Sequence, residues 1–384
     1  MKEITRLPFK ASQDEYDAQA AQLLEAFRTG DEKAITLVWH KHPRFLDEKI
    51  TWLPKRLSRD DVRRVRLDRA DAELALARWY DFRTWDDLRQ YVEAVHVDGS
   101  PFARFESGVE AVINGDVTTL SSLLRAHPDL TTARSSRATP FDPPFHRATL
   151  LHYVAANGVE GHRQKSPPNA PEVARTLLAG GAEPDALADM YGGRCTTMSM
   201  LVSSSPPAIA GVQVPLVDVL VDYGAAVDPR GEGSWTSPLI TALVFGFQDA
   251  AQALVRRGAR VETLPAAAGL GRLEVARRLL PSANADDRHR ALALAAQLGH
   301  AEVVGMLLDA GEDPSRYNPN GLHAHGTPLH QAVWAGRDAV VRLLVERGAR
   351  LDIRDTIYQG TPLGWAVYGG RTAIAEYLRA HGAT

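Results

Sequence analysis

The sequence predicts an all-α fold, a solenoid of stacked helix pairs, on three observations. First, Gly326–Ala349, "GTPLHQAVWAGRDAVVRLLVERGA", aligns without gaps with Gly360–Ala383, "GTPLGWAVYGGRTAIAEYLRAHGA", at an offset of 34 residues. A fixed period of this length is the mark of a repeat array. Second, each copy carries its own helix punctuation. Thr327 and Thr361 are placed to cap a helix N-terminus, Pro328 and Pro362 occupy the first helical position, and glycines close the second helix. Third, apolar residues recur at helical spacing, with Leu329, Ala332 and Val333 on one face of the first helix and Val340, Leu343 and Leu344 on one face of the second.

The elements follow in order along 384 residues. Residues 1–100 read as a helical N-terminal module with helices near 14–29, 31–40, 66–80 and 84–96. Residues 101–148 hold a degenerate helix pair, "FESGVEAVINGDVTTLSSLLRAHPDL", placed to cap the stack. Residues 149–384 divide into seven repeats. A Thr-to-Gly spacing of 21, taken from Thr327 to Gly348, recurs from Arg290 to Gly311, from Thr263 to Asn284 and from Ser237 to Gly258. In this frame Asn284 stands in for a closing glycine. Thr196–Gly224 is seven residues longer and Thr149–Gly181 eleven longer.

The "TPLHQA" start, the period and the paired helices resemble the ankyrin repeat. "ALARWYDFRTWDDLRQYVEA" more loosely resembles a segment found ahead of repeats in bacterial ankyrin proteins. The resemblance implies two antiparallel helices followed by a hairpin-like connector, with the connectors projecting side by side along a concave face that binds a protein partner. It implies that His330 and His152 belong to the capping turn rather than to a site.

The connectors are unequal. Gly224 to Ser237 and Gly348 to Thr361 are 13 residues, Gly181 to Thr196 is 15 and Gly311 to Thr327 is 16, whereas Gly258 to Thr263 is 5 and Asn284 to Arg290 is 6. In the resembled family two short connectors between long ones would leave a notch. One rim would be 181–196 with 224–237, bearing Asp189, Tyr191, Arg194, Cys195 and Trp235. The other would be 311–327, bearing Tyr317, Asn318, Asn320, His323 and His325, with Trp334 and Tyr358 nearby. Aromatic residues and arginine dominate recognition surfaces.

Two readings of function stay open. The preferred one is a binding scaffold that meets a partner through its concave face and connectors. The alternative is a cofactor-free enzyme, a lyase, isomerase or cyclase, with His323 and His325 opposed by Asp189 for proton transfer on a small molecule in the notch. Cys195, just ahead of a helix N-terminus, is a weak nucleophile candidate. His323, His325 and His330 are too loose a set to predict a metal site. The long loops 157–172 and 203–213 read as surface, with His162 and Arg163 as secondary contacts.

Bulk properties narrow the classes. Hydrophobic content of 45% and charged content of 24% fit a soluble globular chain, and a net charge of -3 gives no field to draw nucleic acid or anionic lipid. The basic run 55–69 lacks aromatic interleaving and reads as a solvated helix face. A lone cysteine excludes an intrachain disulfide, and neither a signal-peptide core nor a membrane-length apolar run is evident. The expectation is a cytoplasmic protein without cofactor.

Overall fold

The computed structural model describes residues 4–384; residues 1–3 of the N-terminal module and of the segment read for a signal peptide lie outside it. The chain forms two compact units. The first comprises the chain up to Gly224 with Gly231–Gly233, the second Ala225–Arg230 with Ser234–Thr384. No helix among the described residues is long and apolar enough to cross a membrane.

In the first unit, α1 (Gln13–Arg28), α2 (Glu32–Lys41), α3 (Arg59–Arg63), α4 (Arg69–Trp79) and α5 (Trp85–Val95) close over one apolar core that includes Leu23, Ile35, Leu76 and Leu88. Capping is explicit. Ser12, Ser58, Asp68 and Thr84 each cap reciprocally with an acid three residues on. Helix α6 (Pro101–Asn114) ends on Gly115 in the left-handed region and turns into α7 (Val117–Ala126). Then come α8 (Leu150–Val154) and α9 (Ala170–Ala179), the hairpin of β1 (Leu187–Met190) and β2 (Gly193–Thr196), and α10 (Thr197–Leu201), α11 (Ser205–Ile209) and α12 (Gln213–Asp222). The pairs pack in sequence order, α6 on α8 and α8 on α10 in one row, α7 on α9 and α9 on α12 in the other.

The second unit stacks α13 (Pro238–Val244) with α14 (Gln248–Arg256), α15 (Leu264–Gly269) with α16 (Leu273–Leu279), α17 (Ala285–Leu298) with α18 (Ala301–Asp309), α19 (Pro328–Trp334) with α20 (Asp338–Glu346), and α21 (Pro362–Tyr368) with α22 (Thr372–Ala380). First helices pack on first helices and second helices on second. Leu292, Leu329, Val341, Leu344 and Leu378 share one continuous core. The predicted caps are in place: Thr196, Ser237, Thr263 and Thr361 each accept a backbone N–H through the side chain. Thr149 and Thr327 pair with the histidine three residues on.

One expectation fails. Asn284 does not close a helix as a stand-in glycine. Its φ is -72° and its side chain accepts the Asp287 N–H, so it is the N-cap of α17. The short connector is thus helical: α17 begins ahead of Arg290, and Asp286 and Asp287 in its first turn suit the positive end of the helix dipole. Connector 311–327 folds onto this extension. Arg316 bridges to Asp286 at 2.9 Å, the His289 ring meets the Tyr317 carbonyl at 3.1 Å, and Arg290 donates to the Asn320 carbonyl at 3.2 Å.

Candidate functional site

Trp235 apart, the residues singled out in the second unit come together on the first-helix and connector side of α19 and α21. The Tyr317 hydroxyl donates to the Arg354 carbonyl at 2.6 Å. Asn318 is buried, its N–H donating to the Gly326 carbonyl, and neither side-chain amide atom has a partner. His323 sits at φ 50° and its Nε2 meets the Val244 carbonyl at 3.1 Å. Burial lowers the pKa of both His323 and His325, so each is neutral at pH 7. The His325 ring lies 6.2 Å from His323, 6.1 Å from Tyr358 and 5.7 Å from Trp365.

From Trp365 the row continues to Trp334 at 6.0 Å, which stacks on Tyr368 at 6.3 Å. Trp334, Tyr358 and Tyr368 are exposed, Tyr368 by 86%. Asp355 fixes this row. Its buried carboxylate accepts the backbone N–H groups of Ile357, Tyr358 and Gly360, and the Trp365 indole N–H at 3.0 Å. Asp355, Trp365 and Tyr368 were not marked by the sequence pattern. An Asp five residues ahead of a "GTP" start is the signal that finds the first.

The other residues lie in the first unit, Trp235 excepted. Asp189 faces Arg194 across the hairpin, their side chains 3.9 Å apart. Arg194 exchanges both backbone hydrogen bonds with Glu232 and lies 3.8 Å from its carboxylate. Tyr191 and Gly192 form the two-residue turn, both at positive φ as the hairpin twist demands, and the Tyr191 hydroxyl donates to Asn157 at 2.6 Å. Cys195 is buried, its thiol against the Met190 carbonyl, and burial pushes its pKa up to about 11. The thiol is therefore protonated at neutral pH, the reverse of a nucleophile's requirement. Trp235 belongs to the second unit, 5.3 Å from Phe245. His323 and His325 thus fall in one compact unit and Asp189 in the other. Among the described residues no three His, Cys, Asp or Glu side chains converge as a metal set.

Residues 316–384 match the family described as ankyrin repeats (3 copies). Residues 316–384 are ankyrin repeats. A stretch of 62 residues is also 40% identical to an ankyrin repeat-containing protein of Schizosaccharomyces pombe. It covers 16% of this chain, and the chain spans 28% of that relative's length. The histidine of the ankyrin "TPLH" turn is explained by its bonds. His330 Nδ1 accepts from the Thr327 backbone N–H at 3.2 Å and lies 2.9 Å from its hydroxyl, and Nε2 meets the Gly360 carbonyl at 3.2 Å. His152 does the same between Thr149 and the Cys195 carbonyl. Each of these carbonyls precedes the next repeat's N-cap threonine.

Nothing in an ankyrin repeat calls for the buried ion cluster of the first unit. Glu160, Arg163, Arg137, Glu106 and His146 are all buried. Arg163 donates to Glu106 at 2.6 Å and to the Tyr91 hydroxyl at 3.0 Å, and His146 lies 3.3 Å and Arg137 3.7 Å from Glu160. Burial alone would raise the Glu160 pKa, but His146, Arg137 and Arg163 outweigh it and hold the carboxyl well below its usual range. Loop 157–172, expected on the surface, is therefore anchored by charges in the interior. Beside it, the Asp81 carboxylate accepts the His162 backbone N–H at 3.1 Å and lies 2.9 Å from the ring Nδ1.

Proposed function

We propose that the chain is a binding scaffold whose C-terminal ankyrin repeats hold an acidic segment of a protein partner against the aromatic row of α19 and α21. The observation that carries this reading is the exposed run Tyr358, Trp334 and Tyr368, backed by Trp365 and His325 and preset by Asp355. Exposed tryptophan and tyrosine are the costliest residues to leave in water and the commonest anchors of an interface. Charge favours an acidic occupant. Arg354 and Arg371 flank the row and spend their guanidinium bonds on the backbone carbonyls of Gln359 and Trp334. Arg290 and Arg337 do likewise on Asn320 and Gln297. None of the four pairs with a carboxylate among the described residues.

Peptides selected from a random display library against the full chain test this. The expected ligands carry Asp or Glu beside an apolar residue, weaken as salt rises, and lose about tenfold or more in affinity with Trp334→Ala or Tyr368→Ala. Ligands without acidic bias that bind both variants as well as the parent refute it.

A further inference from the structure

We infer that a cavity of the first unit binds a small planar organic anion. The cavity measures about 1020 Å³ and lies wholly within that unit. Its walls come from the end of α2 with the 43–52 loop, the α4–α5 junction, the 139–146 loop, the 158–164 segment and the hairpin tip at Asp189–Tyr191. Sites for small ligands span about 300–1,000 Å³, so the space suits one organic molecule. Two independent features point to its chemistry.

The first is a charge imbalance. Most acids lining the cavity are already engaged. Asp47 accepts the N–H groups of Lys49 and Ile50, Glu48 lies 3.9 Å from Lys55, Asp81 holds His162 and Asp189 faces Arg194. Asp142, on the exposed turn of its loop, is the remaining one. The cations are less engaged: among the described residues none of Lys41, Arg78 and Arg83 has a carboxylate within ion-pair distance, Asp81 and Asp87 acting on Lys41 and Arg78 only from farther off. The Arg78 Nε is buried without any partner, and burial followed by the neighbouring charge of Arg83 disfavours its ionised form more than the opposing charge of Asp87 restores it. An anion between Arg78 and Arg83 supplies the missing partner and relieves the repulsion.

The second feature is apolar and flat. Trp52, Phe141 and Tyr191 line the same cavity, yet are 62%, 49% and 54% exposed. Three exposed aromatic rings around one opening are a stacking frame for a planar ring. The Tyr191 ring is fixed in place there, its hydroxyl tied to Asn157 at 2.6 Å. Together these describe a ring bearing a phosphate or a carboxylate, with the charge at Arg78 and Arg83 and the ring between Trp52, Phe141 and Tyr191.

Titration of the full chain separates the outcomes. The probes are adenosine 5′-monophosphate and benzoate, with uncharged adenosine and cationic benzamidine as controls, followed by calorimetry and by tryptophan fluorescence. At least one anion binds with a Kd below about 1 mM, and its fluorescence change is lost in Trp52→Phe. The matching uncharged or cationic probe binds at least tenfold more weakly. Arg78→Gln and the exposed Arg83→Gln each weaken the anion by about tenfold or more. Whichever of the two anions binds identifies the charged group. Failure of both below about 1 mM, equal affinity for adenosine and its monophosphate, or unchanged affinity in a folded Arg83→Gln chain overturns the assignment.

Discussion

Acidification acts on the first unit through His152. This imidazole is fully buried, with Nδ1 facing the Thr149 N–H and hydroxyl and Nε2 against the Cys195 carbonyl. The network assigns the proton to Nε2, and a second proton on Nδ1 would point at a donor. Burial pushes the pKa from 6.5 down to about 4. Between those values the unfolded chain takes up a proton that the folded chain refuses, so stability falls as the pH falls. The contribution is complete above pH 6.5 and is lost progressively down to about pH 4. At about 1.4 kcal/mol per pH unit, the loss over that window is about 3 kcal/mol. Against a typical total of about 5–15 kcal/mol this is a large share. Urea unfolding of the parent and of His152→Gln, at half-unit steps from pH 7.5 to 4, measures it. Carboxylates contribute alike to both chains, so the difference isolates the histidine. His152→Gln is expected to be less stable at pH 7.5, with the gap narrowing by about 3 kcal/mol toward pH 4. Parallel curves through the window refute the reasoning.

Four further outcomes are open to measurement. Asn284→Ala lowers stability by about 1 kcal/mol in urea unfolding whereas Asn284→Gly costs a few tenths, because the residue is an N-cap; a gain with glycine would restore it to a left-handed helix end. Glu160→Gln leaves Arg137, Arg163 and His146 without their shared counter-charge and costs about 3–5 kcal/mol, read as a fall in urea midpoint. Gly193→Ala sets a Cβ 2.2 Å from the Glu232 carbonyl, so residues 231–233 release from the hairpin and limited proteolysis near them accelerates. Thr327→Ala costs about 1 kcal/mol and Thr327→Ser recovers it, since the hydroxyl serves both the cap and His330.

Local signals were legible and long-range ones were not. Thr196, Ser237, Thr263, Thr327 and Thr361 announce helix starts because a cap depends only on its own next three residues. Asn284 was misplaced because the counting frame assumed a connector of ordinary kind, and a six-residue gap can equally be helix. The aromatic row was half visible. Tyr317, Trp334 and Tyr358 stand out as residue types, but Asp355 matters through four hydrogen bonds, of which its place five residues ahead of the "GTP" start is the only mark in the sequence. The ion cluster was hidden because arginine and glutamate in a proline-rich loop read as surface. Glu106 alone carried a hint, since it lies four residues after Phe102 and three before Val109, on an otherwise apolar helix face.

Where a capping turn carries a histidine, at His152 and His330, neighbouring repeats are made answerable to one another. His330 completes its bonds only if Gly360 is present, and His152 only if Cys195 is. A chain cut after α20 would keep every residue of that repeat yet strand a buried N–H inside it. Damage to such an array does not stop at the break. It is felt one module upstream, so the smallest fragment that can serve as a faithful copy of either histidine-bearing repeat includes the opening residues of the next.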